Sequence, residues 1–297
     1  MSDPATLSEQ WGSLKLNDGH TIPMFAYGLG SARTREEVER TMDLTVTAIG
    51  KGYYHLDGAE VYGNEAKLGA AIQKSGVDRS RLFVTTKLQN VTADIPKAFE
   101  GSLERLGLSY VDLYLIHSPY NASSPEQLQK AWADLEAIQA SGRARSIGVS
   151  NFSVSNLEAI LKTARVTPAI NQIEYHPYLQ HEPDKLLDFC RAKNIALAAY
   201  GPLAAITKAR PGPCDDVYAD LAAKYRVSEA DVAIRWCIDQ GIVAITTSAS
   251  EQRLQGYTEG VSAFKLTPSD IERITLAGRK KNFRLYWRNK FEEDDWR

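Results

Sequence analysis

From residue 25 onward, short apolar runs alternate with amphipathic stretches across polar breaks, the pattern of strands and helices taking turns. Eight runs read as strands: FAYGLG at 25–30, YYHLD at 53–57, LFVTTK at 82–87, VDLYLIH at 111–117, ARSIGVS at 144–150, PAINQIEY at 168–175, IALAAY at 195–200 and IVAIT at 242–246. Each is apolar at nearly every position, so both faces must be covered, as in an all-parallel sheet. Between them, EEVERTMDLTVTAIGKG, PKAFEGSLERLGL, EQLQKAWADLEAIQASG, DKLLDFCRAKN and SDIERITLAG repeat apolar residues at helical spacing. In the third, Leu128, Trp132, Leu135 and Ile138 form one face and Gly142 supplies a stop. Right-handed crossovers place each helix outside its strand pair. An open doubly wound sheet of eight strands fits this pattern, but eight βα units in about 250 residues match a closed (β/α)8 TIM barrel more economically.

Two segments flank the repeat. SLKLNDGHTIPMF sets Asn17, Asp18 and Gly19 between two alternating runs and predicts an N-terminal β-hairpin at about 12–25, a lid on the barrel base. KKNFRLYWRNKFEEDDWR, at about 280–297, is aromatic and charged without a period, and reads as an ordered C-terminal loop over the active site. With no linker or repeat visible, residues 1–297 read as one domain.

Composition narrows the function. Hydrophobic residues at 43% and charged residues at 24% exclude a disordered or fibrous chain. Lys plus Arg number 35 against 37 Asp plus Glu, so no basic field favours nucleic acid or an anionic membrane, and small-molecule chemistry gains weight. Cys190, Cys214 and Cys237 show no CxxC spacing, which fits a reducing compartment. Asp3 and Glu9 stand where an export signal needs a basic start and an apolar run, and no apolar stretch reaches the length of a membrane span. A cytoplasmic protein without membrane or nucleic-acid partners is expected. His176 and His181 are five apart with Pro177 between them, which breaks the helical HxxxH geometry of a zinc site, so no metal is expected.

In a barrel, chemistry sits at the C-terminal strand ends. There the sequence places Asp57, then Tyr62 on the following loop, Lys87 and His117. A phenol is a poor proton donor at neutral pH, and a neighbouring cation favours its anion. Lys87 is the candidate cation, Asp57 would hold it, and Tyr62 would give a proton to an oxygen becoming an alkoxide. A neutral His117 could donate a hydrogen bond that orients a carbonyl. Each residue alone has an ordinary structural explanation, but four such types at three consecutive strand ends favour a shared role.

GYYHLDGAEVYGNE, LFVTTKL, VDLYLIHSP, GVSNF, INQIEYHPYL and AAYGPL resemble, in order, the successive signatures of the aldo-keto reductase family, over roughly residues 14–290. The segment ITTSASEQR is similar to that of the fungal keto ester and conjugated polyketone reductase branch. The resemblance implies a barrel that binds NADPH across its mouth and reduces carbonyls, with Tyr62 as proton donor, Lys87 and Asp57 tuning it, and His117 orienting the substrate. It also implies that Ser150, Asn151 and Gln172 surround the nicotinamide carboxamide and that Tyr200 stacks on the ring. Backbone of Gly201, Pro202 and Leu203 would hold the pyrophosphate, and Thr247, Ser248 and Arg253 would meet the adenosine end. Gly28 and Asp57 complete the cofactor set, and the resemblance further implies a monomer, with no exposed heptad pattern arguing otherwise.

Four departures matter. Gly201 replaces a frequent Ser and removes its hydroxyl contact, while Thr247 replaces a frequent Lys and Glu251 adds an anion, so NADH is expected as a weaker alternative cofactor. Ser118 follows the catalytic His where many sugar and aldehyde reductases carry Trp, which opens that wall. Substrate contacts are expected from Tyr27, Tyr62, His117, Ser118, Tyr120 and Trp287, with Phe283 and Tyr286 nearby. These lie at the barrel mouth or in the loops SPYNASSPEQ, Ala204 to Val217 and the tail. A compact or activated ketone, such as a keto ester or diketone, or an aldehyde fits loops of this length. A cofactor-binding regulatory subunit and a sugar-aldose reductase are the alternative readings.

Overall fold

The computed structural model describes residues 11–30, 35–181, 185–292 and 295, with backbone alone for 35–38. Asp3, Glu9, Asp184 and positions 293, 294, 296 and 297 of the expected tail lie outside the described residues.

The hairpin forms as expected: β1 (Ser13–Lys15) pairs antiparallel with β2 (Thr21–Pro23). Gly19 takes φ +90°, a region glycine enters freely, and the Asp18 carboxylate accepts the His20 N–H at 3.1 Å. Ile22 is fully buried. Asn17 donates from Nδ2 to the carbonyls of Pro168 and Asn194, at 2.9 and 3.0 Å, just ahead of two barrel strands. The hairpin therefore covers the end of the barrel where strands begin, and leaves the opposite mouth free.

Eight parallel strands follow: β3 (Phe25–Gly28), β4 (His55–Asp57), β5 (Phe83–Leu88), β6 (Val111–Ile116), β7 (Ala144–Ser150), β8 (Ile170–Glu174), β9 (Ala196–Tyr200) and β10 (Val243–Thr246). Each pairs with the next, and β10 returns to β3 with Ile245 opposite Ala26, closing the barrel. Closure decides against the open sheet. Every residue of β4, β5, β6, β8 and β10 is buried, the polar Asp57, Lys87, Gln172 and Glu174 included.

Among the described residues the helices are α1 (Arg35–Gly50), α2 (Glu65–Ser75), α3 (Ile95–Leu106), α4 (Pro125–Ala140), α5 (Val154–Leu161), α6 (Leu186–Ala192), α7 (Ala204–Thr207), α8 (Asp215–Tyr225), α9 (Glu229–Ile238), α10 (Glu251–Ser262) and α11 (Pro268–Gly278). The sequence explains their ends. Ser124 and Pro125 open α4, which buries Leu128, Ala131, Trp132, Leu135 and Ile138; each large apolar side chain there contributes on the order of 2 kcal/mol. Reciprocal capping boxes start α5 at Ser153, α9 at Ser228 and α11 at Thr267. The stretch from Ala204 to Val217, expected as a loop, contains all of α7 and the start of α8. Among the described residues no helix is long and apolar enough to cross a membrane.

Candidate active site

The C-terminal strand ends carry polar side chains into one cavity of about 630 Å³. Beneath the Asp57 that lines it, Lys87 of β5 is fully buried and donates to Asp57 Oδ1 at 2.6 Å and to the Gly58 carbonyl at 2.8 Å. Burial alone would lower the Lys87 pKa, but the Asp57 carboxylate and the Tyr62 hydroxyl outweigh it and hold the group above its ordinary value. Lysine therefore stays charged inside the barrel. Its Nζ lies 5.2 Å from the Tyr62 ring centre.

Tyr62 closes a 3₁₀ turn, Glu60–Tyr62, that ends at Gly63 with φ +65°. Glu60 pins this turn by accepting the Gln89 N–H at 3.0 Å, and buried Asn64 donates to the Leu29 carbonyl at 3.0 Å. Glu65 accepts from Thr86 at 2.6 Å and from Arg105 at 2.7 Å. The residues after Tyr62 thus fix the loop that carries it. His117, directly after β6, meets the Tyr62 ring edge-on at 5.6 Å. Burial, and then the Lys87 charge, push its pKa down to about 3, so the imidazole is neutral and can donate from one ring nitrogen.

The remaining expected residues divide. Gly28, Asn151, Gln172, Tyr200, Gly201, Pro202, Leu203 and Thr247 line the cavity. Asn151, at φ +62°, donates to the His117 carbonyl at 2.8 Å and to Ser150 Oγ at 3.0 Å, and accepts the Tyr200 hydroxyl at 2.5 Å. Gln172 donates to Asp57 Oδ2 at 2.8 Å, which ties it to the ion pair as well as to the cavity. Ser150 lies outside the lining, buried, with its hydroxyl given to the Gln172 carbonyl. Gly201 sits at φ +67°, where an added β-carbon would meet the Tyr286 ring at 3.3 Å. A serine there would be strained. Beyond Thr247, Arg253 donates to Ser248 at 3.0 Å beside the start of α10, and Glu251 is paired with Lys51 at 2.9 Å.

Three residues expected to touch substrate stand outside the described lining. Tyr27 lies outside the cavity lining: strand alternation turns it toward Tyr53, 6.2 Å away, and its hydroxyl reaches the Ser248 carbonyl. Ser118 is buried and also outside the lining. Tyr120 stands behind Trp287, with ring centres 4.9 Å apart, and supports the wall from outside the lining. The opening expected beside His117 is filled by Trp287, edge-on at 6.2 Å. Gly30, Glu174 and Lys208 were missed by the sequence reading. A β-carbon on Gly30 would meet the Tyr62 ring at 2.7 Å; Lys208 is the one cation in the described lining. Only their neighbours in space reveal them. The two histidines set aside as zinc ligands, His176 and His181, both face Glu174, through Nε2 to Oε1 at 3.2 Å and Nε2 to the carbonyl at 2.8 Å.

Positive charge held beside a phenol at the mouth of a closed parallel barrel marks a carbonyl oxidoreductase of the barrel class. Residues 25–278 match the Aldo/keto reductase family model, and the chain belongs to that family. It is 36% identical over 278 residues to the NAD/NADP-dependent indole-3-acetaldehyde reductase of Schizosaccharomyces pombe, covering 91% of this chain and 97% of the relative. It is 35% identical to the NADPH-dependent alpha-keto amide reductase of Saccharomyces cerevisiae, covering 92% and 93%. The crystal structure of a Bombyx mori aldo-keto reductase in complex with NADP aligns with TM-score 0.80 at 33% identity, over 89% of this chain and 92% of that one. Relatives named for aldehydes and for keto amides match about equally well, so the family is defined and the branch within it is not.

Proposed function

We propose that this protein, acting as a single-domain enzyme, is an NADPH-dependent carbonyl reductase of ketones such as keto esters and diketones, or of aldehydes. The observation that carries the reading is the buried Lys87–Asp57 ion pair beside Tyr62 and neutral His117 at the base of the cavity. The residues present fit a nicotinamide dinucleotide. Gly28 and Gly201 contribute bare backbone to the lining, Tyr200 offers a ring face, and Lys208 adds positive charge beside Thr207. Ser248 and Arg253, at the start of α10, supply a hydroxyl and a guanidinium suited to a 2'-phosphate. Glu251 keeps the NADPH margin modest, although Lys51 offsets part of its charge.

Bound there, NADPH supplies the hydride for the carbonyl carbon. The chain does the rest. His117 donates a hydrogen bond to the carbonyl oxygen and fixes its direction. Tyr62 gives its hydroxyl proton to that oxygen as negative charge grows on it, and Lys87 stabilises the phenolate left behind. Asp57, held by Gln172 and paired with Lys87, keeps the ammonium in place. Trp287 and Tyr286 keep water from the reacting carbon.

The test is NADPH consumption followed by absorbance with an activated keto ester, an aldose sugar and NADH as comparison cofactor. We expect fast turnover of the keto ester with NADPH, slower turnover with NADH and little with the sugar. No turnover of any carbonyl despite measurable NADPH binding would contradict the reading in favour of a regulatory subunit.

A further inference from the structure

The cavity is roofed by residues distant in the chain. Leu285, Tyr286 and Trp287 line it, although the last helix ends at Gly278. The tail is tied down ahead of this point, where Phe283 donates to the Tyr178 carbonyl at 3.0 Å. Over the mouth itself the anchor is Glu174, the last residue of β8 and only 1% exposed. Its Oε1 accepts the Leu285 N–H at 2.7 Å and its Oε2 the Tyr286 N–H at 3.0 Å. A carboxylate buried this far is tolerated only when its oxygens are satisfied. Two of its contacts belong to the tail and a third is His176 Nε2, 3.2 Å from Oε1, so lifting the tail would take from Oε2 the Tyr286 N–H and leave Oε1 with His176. Because the donors are backbone groups, the anchor is indifferent to which side chains the tail presents.

We propose that Glu174 is a positioning residue for substrate selection. By clamping the backbone at 285–286 it sets Trp287 edge-on to His117 and Tyr286 edge-on to Tyr200, at 6.2 and 5.2 Å, and these two rings form the wall a substrate meets. The kinetic part of the proposal rests on the reductase reading above; the structural part does not.

Glu174→Gln keeps the shape but turns an acceptor oxygen into an NH₂ group facing a donor N–H. With NADPH and a compact keto ester, KM should rise about tenfold, the size of one charge-assisted hydrogen bond, while kcat stays within about threefold. The NADPH Kd from calorimetric titration should be unchanged. Trypsin, acting on the folded protein, should cut faster after Arg284 or Arg288. Adding Glu174→Gln to Trp287→Ala should raise KM little beyond Trp287→Ala alone, since both act through one wall. An unchanged KM and cutting rate, a Kd that rises with KM, or additive effects would overturn the proposal. If Glu174→Gln does not fold, Leu285→Pro removes one N–H donor from the tail side and is read the same way. A wild-type protein that reduces no carbonyl would defeat the reductase reading, while trypsin and calorimetry would still decide whether Glu174 holds the tail.

Discussion

Gly30 stands so close to Tyr62 that a β-carbon would meet Cζ at 2.7 Å and the hydroxyl at 2.8 Å. Gly30→Ala should therefore push the phenol off its line, and a displacement near one ångström costs up to about a hundredfold in kcat. The NADPH Kd should change far less than kcat, because the added carbon is directed at the Tyr62 ring; an unchanged kcat would show that Tyr62 has room to spare. At this scale the sequence was readable where a residue's type already declares its chemistry. Asp57, Lys87 and His117 are polar groups in apolar strands, and Tyr62 follows on a Gly-bounded loop. It was silent where the role lies in a neighbour. Gly30 matters through the ring pressed against it, Glu174 through two N–H groups more than a hundred residues away. Tyr27, an aromatic at the strand end, stands outside the lining that Gly28 joins, because alternate residues of a strand face opposite ways.

At the scale of elements, the eight strand positions were recoverable because burial on both faces forces continuous apolar runs, and the ends moved by no more than two residues. Helix α4 was equally clear, its stripe and Pro125 start agreeing with the buried side chains. The stretch after β9 was not. Ala204–Thr207 is a single turn of helix, too short to show a period, and Asp215 starts α8 in a segment broken by two prolines. The tail shows why aperiodic segments resist reading: Trp287 takes φ +56° and packs on Tyr120 of the loop after β6, while Leu285 and Tyr286 are held by Glu174 of β8, none of which leaves a local trace. The hairpin, in contrast, is dictated locally by Asp18 and Gly19.

Three histidines couple the whole molecule to pH. Burial pushes His55 and His181 down to about 4 and His117 to about 3, from an ordinary 6.5. Between those values and 6.5 the unfolded chain carries protons the folded one does not, so stability rises with pH across that window. It is fully present above about 6.5 and lost as the pH falls toward 4. With all three contributing, the steepest loss is on the order of 4 kcal/mol per pH unit. Urea unfolding should give a constant free energy from pH 8 to about 7 and a falling one below about 6. A flat profile down to pH 5 would show that these rings are not buried as neutral groups.

The central claim is that Tyr62, set beside Lys87, delivers the proton. Single-turnover reduction of an activated keto ester by Tyr62→Phe, with NADPH affinity measured on the same sample by calorimetry, tests it most directly. The account predicts a loss of about a thousandfold in the chemical step, the scale of general-acid catalysis, with the NADPH Kd within about twofold of wild type. A variant that keeps its rate within about tenfold would contradict it, and the proton would then have to come from another group at the mouth.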